Sequence, residues 1–142
     1  MITEDYVSFE TAKLLKERGF DEECISVYHD GKLQLVSSLG IFCGEGYGEQ
    51  ILTYTNSECK WSPIMISAPT LQMAMKWLRE VHDIYIMIDK DFATENGWHY
   101  VVVRKRYWAD NIDKGLTKQE SNSYTYKFAC EASIKYCLEN LI

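Results

Sequence analysis

The run Leu71-Gln72-Met73-Ala74-Met75-Lys76-Trp77-Leu78-Arg79-Glu80-Val81 constrains the fold more than any other segment of the chain. At about 100° per residue, Leu71, Ala74, Met75, Leu78 and Val81 form one apolar stripe, which Met73 and Trp77 widen. Gln72, Lys76, Arg79 and Glu80 are confined to a sector of about 100°. The spacing predicts a helix from about Leu71 to Val81, opened by Pro69 and Thr70 and covered by protein over most of its circumference. Such a helix must sit centrally, against a sheet or other helices.

The flanking segments supply both. Ser8 suits the N-cap of a first helix, with Glu10 in its first turn, where the helix dipole favours an acid. Val7, Thr11, Leu14 and Leu15 share a side, and Gly19 follows Lys16 and Arg18 as a stop. Phe9 lies opposite that stripe, so it makes a second contact or stands exposed. Cys24–Tyr28 and Leu33–Ser38 read as strands joined by the turn signal His29-Asp30-Gly31-Lys32, a β-hairpin. Ile51–Thr55 reads as a third strand and Asn56–Pro63 as loop.

After the central helix, Tyr85–Asp89 is rich in aromatic and β-branched residues, and Trp98–Trp108 carries Val101-Val102-Val103 at its centre; both read as strands. Ala109–Asn122 reads as a polar loop. A last helix is expected from about Tyr124 to Leu141. Its buried face would hold Tyr126, Ala129, Cys130, Ser133, Ile134, Tyr136, Cys137 and Leu141.

The order α-β-β-β-α-β-β-α, with strands in hairpin-type pairs, implies an α+β fold: an antiparallel sheet of four to five strands with three helices. A chain of 142 residues suits one domain, residues 1–142, with a single core. Leu14-Leu15-Lys16-Glu17 and Trp77-Leu78-Arg79-Glu80 each end a helix before two strands. Four similar positions are weak support for a duplicated unit, because helix ends commonly look alike.

Charge narrows the function classes. Residues 1–60 hold 11 acids and 5 bases, and residues 61–142 hold 10 of each, so the whole excess of −6 lies in the first part. That excludes a protein whose entire surface grips nucleic acid, while leaving room for a local basic site. No apolar run approaches the roughly 20 residues of a membrane span. The acidic start Met1–Tyr6 is no secretory signal. Five cysteines, odd in number and without a CxxC pair, suggest reduced thiols in a cytoplasmic protein rather than a disulfide framework or zinc knuckle.

Most chemistry-bearing patterns have a simpler reading. Gly44-Glu45-Gly46-Tyr47-Gly48-Glu49 lacks the third glycine and following helix of a dinucleotide loop, and its glutamates would repel phosphate; it reads as a flexible or hairpin-forming loop. His29, His82 and His99 lie in no HxH or HExxH arrangement, so structural or surface roles are expected. Cys130 and Cys137 read as small core residues. Cys59 beside Lys60 is the one thiol with a basic neighbour, but no base can be assigned to it. Asp89 and Asp91 around Lys90 read as a solvated turn. No metal site, cofactor or catalytic residue is nominated.

The candidate binding residues are Arg104, Lys105, Arg106, Tyr107 and Trp108. Alternation puts Tyr100, Val102, Arg104, Arg106 and Trp108 on one face and His99, Val101, Val103, Lys105 and Tyr107 on the other. Arginines beside rings can hold phosphates while bases stack. The competing reading is as physical: charges near a strand end protect a sheet edge, and their stems cover aromatic rings.

Two stretches, Ser67-Ala68-Pro69-Thr70-Leu71-Gln72-Met73-Ala74-Met75-Lys76-Trp77-Leu78-Arg79-Glu80-Val81-His82 and Glu131-Ala132-Ser133-Ile134-Lys135-Tyr136-Cys137-Leu138-Glu139-Asn140-Leu141-Ile142, together with Val7–Phe20, carry a resemblance. They resemble a group of short proteins carried by phages and mobile elements of gut bacteria. The resemblance implies a bacterial cytoplasmic accessory protein and assigns no activity to a residue. It covers the three helices and the strand after the second, and excludes Gly31 to Ser62.

The expectation is therefore a non-enzymatic accessory protein acting through protein–protein contacts, with a protein partner or self-association. Four Trp and ten Tyr exceed what one core needs, and such rings are enriched at interfaces. The alternative is a nucleic-acid-associated factor using the strand 100–108.

Overall fold

The computed structural model describes residues 1–43, 46, 48–58, 65–92, 97–104, 116–123 and 125–142. Among the described residues the architecture is α+β, with three α-helices and antiparallel strands. The described residues group into two compact units, Tyr6–Thr70 and the discontinuous Met1–Asp5 with Leu71–Ile142.

The unit Tyr6–Thr70 begins with α1 (Phe9–Glu17), capped by Ser8, whose hydroxyl accepts the Thr11 N–H. The helix ends where Gly19 adopts φ +87°. The N–H groups of Phe20 and Gly19 donate to the carbonyls of Leu15 and Lys16, closing the last turn in a Schellman arrangement. β1 (Ser26–His29) and β2 (Lys32–Leu35) form the expected hairpin. Asp30 and Gly31 at φ +51° and +73° give the two left-handed residues of a type I′ turn, whose twist matches that of the strands.

The expected strand at Ile51–Thr55 is replaced by shorter pieces. β3 (Phe42–Cys43) pairs antiparallel with β4 (Glu49–Gln50), and Tyr54 makes an isolated bridge to Cys24. β5 (Met65–Ser67), which the hydropathy pattern did not mark, pairs antiparallel with β1 and completes a sheet of order β2-β1-β5. Asn56 links this region: its Nδ2 donates to the Phe20 carbonyl at 2.8 Å, and its Oδ1 accepts the Ser67 N–H at 3.0 Å.

Val27, Val36, Tyr54 and Met65 form a core on one face of the sheet, with Leu39, Ile41 and Ile51 packed against it. The other face meets α1. The Tyr28 hydroxyl donates to the Val7 carbonyl at 2.6 Å, and the Phe9 ring stands edge-on to Tyr28 at 5.3 Å. Phe9 therefore makes the second contact.

The other unit contains α2 (Leu71–His82), a meander of β6 (Ile84–Asp91), β7 (Gly97–Arg104) and β8 (Leu116–Ser123), and α3 (Tyr126–Asn140). Asp83, at φ +55°, turns the chain from α2 into β6 in one residue. Both helices pack on one face of the sheet, burying Tyr100, Val102 and Ile84 against Leu71, Ala74, Trp77, Leu78, Ile134 and Leu138. The Thr125 hydroxyl accepts the Phe128 N–H and caps α3.

Three expectations need correction in this unit. Part of the expected polar loop Ala109–Asn122 lies in β8, where the backbone ladder with β7 provides the pairing and hydropathy carries no strand signal. Val81 is 57% exposed, because α2 turns Trp77 inward instead. Tyr126 belongs to the exposed first turn of α3 and not to its buried face, while Leu138 is fully buried. Ala129, Cys130, Ser133, Ile134 and Cys137 are buried as the spacing predicts.

Candidate functional site

Of the five residues singled out on the basic-aromatic strand, Arg104 is described; Lys105, Arg106, Tyr107 and Trp108 lie outside the described residues. Arg104 closes β7 on the helix-covered face. Its Nη2 donates to the Leu141 carbonyl at 2.7 Å, so the guanidinium caps the C-terminal end of α3, where a cation meets the negative end of the helix dipole. Among the described residues, its Nε is buried without a hydrogen-bond partner.

His82, the last residue of α2, shares that neighbourhood. Its ring stands edge-on to Trp77 at 4.6 Å, and its Nε2 is likewise buried and has no hydrogen-bond partner among the described residues. Burial, followed by the Arg104 charge, pushes the imidazole below its ordinary pKa. Burial pushes the nearby Cys137 thiol up to about 12 despite the opposing Arg104 charge. These are conditions for a neutral imidazole and a protonated thiol, not for an activated nucleophile.

A different constellation lies at the other end of β7. Lys90 and Trp98 are cross-strand partners on β6 and β7, and the Lys90 ammonium sits 5.5 Å from the Trp98 ring centroid. Trp98 stands edge-on to Tyr126 at 5.2 Å, and Gln72 Nε2 donates to the Tyr126 hydroxyl at 3.0 Å. An open pocket of about 240 Å³ adjoins this group, lined by Ile2–Asp5, Leu71, Gln72 and Tyr126. The segment Ile2–Asp5 is fixed at its end by the Leu71 N–H, which donates to the Asp5 carbonyl, and by Lys127, whose Nζ lies 3.2 Å from Asp5 Oδ1.

Tyr126 and Phe128 are 39% and 55% exposed. Burial raises the Tyr126 phenol above its usual pKa, with the Gln72 hydrogen bond opposing, and burial also raises the neighbouring Cys130 thiol. Neither is prepared for proton transfer or attack near neutral pH. An aromatic centre with a rim of amide, ammonium and carboxylate is suited to recognition instead. Among the described residues, no group of three His, Cys, Asp or Glu could hold a metal ion.

The sequence pattern placed Trp98 at the start of a strand without singling it out, and missed Tyr126, Gln72 and the Ile2–Asp5 segment. Helical periodicity placed Tyr126 inward. The signal that could have placed it correctly is Thr125, whose capping role makes Tyr126, Lys127 and Phe128 the first turn of α3. Neither protein-family models nor curated proteins nor solved structures yield a match to this chain.

Proposed function

We propose that this chain is a non-enzymatic accessory protein working through protein–protein contacts, with the Trp98–Tyr126 face as a contact surface. The observation that carries the reading is the aromatic pair held by Lys90 and Gln72 beside an open pocket. Held rings lose little side-chain entropy on binding, and a pocket beside them accepts a partner side chain as an anchor. The Asp5–Lys127 ion pair supplies a polar rim.

A photo-crosslinking phenylalanine analogue at position 2, which lines the pocket and is fully exposed, introduced into cells that express the protein, tests this. A discrete protein adduct that disappears on Tyr126→Ala is the expected result. Adducts to nucleic acid alone, or a protein adduct indifferent to Tyr126→Ala, would refute it.

A further inference from the structure

We infer that Met1–Glu4 is a strap that closes over the pocket beside Tyr126, carrying the Ile2 side chain onto the Tyr126 ring and screening the contact surface from a partner. The inference rests on the reading of that surface as a place of contact and adds its regulation.

The strap has a fixed root and an exposed body. Asp5 is held twice: its carbonyl accepts the Leu71 N–H at 2.9 Å, and its carboxylate lies 3.2 Å from the Lys127 ammonium. On the far side of Asp5, Met1, Ile2, Thr3 and Glu4 are all exposed. Met1 and Ile2, at 117% and 101%, are the most exposed large hydrophobic side chains among the described residues. They stand in water beside an open pocket of about 240 Å³, so closing the strap removes apolar surface from water.

Reach, size and charge make the chain's own Ile2 the occupant. Ile2 is tethered three residues from Asp5, a span of at most roughly 10 Å, and it already stands on the pocket wall. A cavity of about 150 Å³ accepts a benzene ring, so this pocket admits an isoleucine side chain without moving Leu71 or Gln72. Helices α2 and α3 both begin at the pocket, through Leu71 and Gln72 and through Tyr126, and neither carries an acid in its first turn. The strap supplies what they lack. Asp5 already meets the first residue of α2 and the second of α3, and closure carries the Glu4 carboxylate toward the same positive helix ends. A tether this short also holds Ile2 at a millimolar effective concentration, against which any separate partner has to compete.

Closure is balanced. Burying one isoleucine with the Glu4 attraction added, and ordering the residues that carry them, are opposing changes of the same order. Both states are therefore populated, and the structure shows the open one. A partner that docks on the Tyr126 ring binds the open state alone, so its apparent affinity falls in proportion to the open fraction.

NMR of the whole chain by itself, with labelled isoleucine methyls, tests the closure. The Ile2 δ1 methyl is expected upfield of its position in an unstructured peptide, displaced by the ring current of Tyr126, and returns to that position in Tyr126→Leu. Access to the ring is the second readout. Photochemically induced nuclear polarisation of the assigned Tyr126 ring by a flavin dye should be about twofold stronger in Ile2→Asp than in the wild type, as evenly populated states require. An Ile2 methyl at the unstructured position, an upfield shift that persists in Tyr126→Leu, or equal polarisation in Ile2→Asp and wild type overturns the proposal. Ile2→Asp alters a side chain that stands in water, so the second readout holds even if Tyr126→Leu does not fold. Neither measurement involves a partner, so a strap that stays open and a surface that captures nothing are separate negative results.

Discussion

Arg104 and Leu141 are joined by a 2.7 Å hydrogen bond from the guanidinium Nη2 to the backbone carbonyl, tying the end of β7 to the end of α3. This bond accounts for a cation in the most apolar strand of its unit. The residue that sequence pattern offered as a phosphate contact directs this N–H inward to a helix end.

Arg104→Met is therefore expected to destabilise the fold by about 1.5–3 kcal/mol, the range for a hydrogen bond from a charged group. Urea denaturation checks the magnitude. The same variant should leave any binding of single-stranded DNA or RNA at low salt unchanged. A reduced salt slope on Arg104→Met would return the residue to the surface role.

The His82 imidazole is held below its ordinary pKa by burial first and by the Arg104 charge second. The unfolded chain takes up a proton near pH 6.5 and the folded chain only at lower pH, so the unfolded state binds more protons in between. Stability contributed by the neutral imidazole is thus present above pH 6.5 and lost as the pH falls through the folded pKa. His82→Phe, which keeps a ring against Trp77, should flatten this part of the stability profile. A profile below pH 6.5 that is identical in both proteins would contradict the assignment.

At Asp30-Gly31 the hairpin requires φ values of +51° and +73°. A Cβ at Gly31 meets no atom within 4 Å, so the cost of substitution there is conformational and not steric. Gly31→Val should destabilise by about 1–2 kcal/mol, and Asp30→Asn should be tolerated, since asparagine enters the left-handed region readily. Thermal unfolding of the two variants separates these outcomes.

Elements with a local signature were legible in the sequence, and those defined by partners were not. Ser8 and Gly19 mark both ends of α1, Asp30-Gly31 marks the hairpin, and the Leu71–Leu78 stripe marks α2, because each signal acts within one turn of chain. β5 and β8 carry no such mark. Met65–Ser67 is a strand because β1 lies beside it, and Leu116–Ser123 because β7 does. The proposed contact face was not legible for the same reason: Trp98 entered only as the start of a strand, and Tyr126 belongs to that face through the cap at Thr125 and the amide of Gln72.

The thiols give the last test. Cys24, Cys130 and Cys137 are buried, and burial, the main cause at each, pushes Cys24 and Cys137 up to about 12. Replacing Cys43 and Cys59 with serine leaves these three as the only thiols in the chain. In that background a thiol-disulfide reagent at pH 8 should react with none of them in the folded protein and with all of them in urea. The alkaline limb follows from the same cause. An unfolded thiol loses its proton near pH 9, whereas Cys24 and Cys137 keep theirs to about 12, so the folded state binds more protons across that interval. The contribution of these two groups is complete below pH 9 and is lost as the pH rises toward 12. Cys24→Ala with Cys137→Ala should shallow that loss, at the cost of smaller core side chains. Rapid labelling of either cysteine at pH 8 without denaturant would show that its helix or bridge opens locally, and would place the weakest point of that unit there.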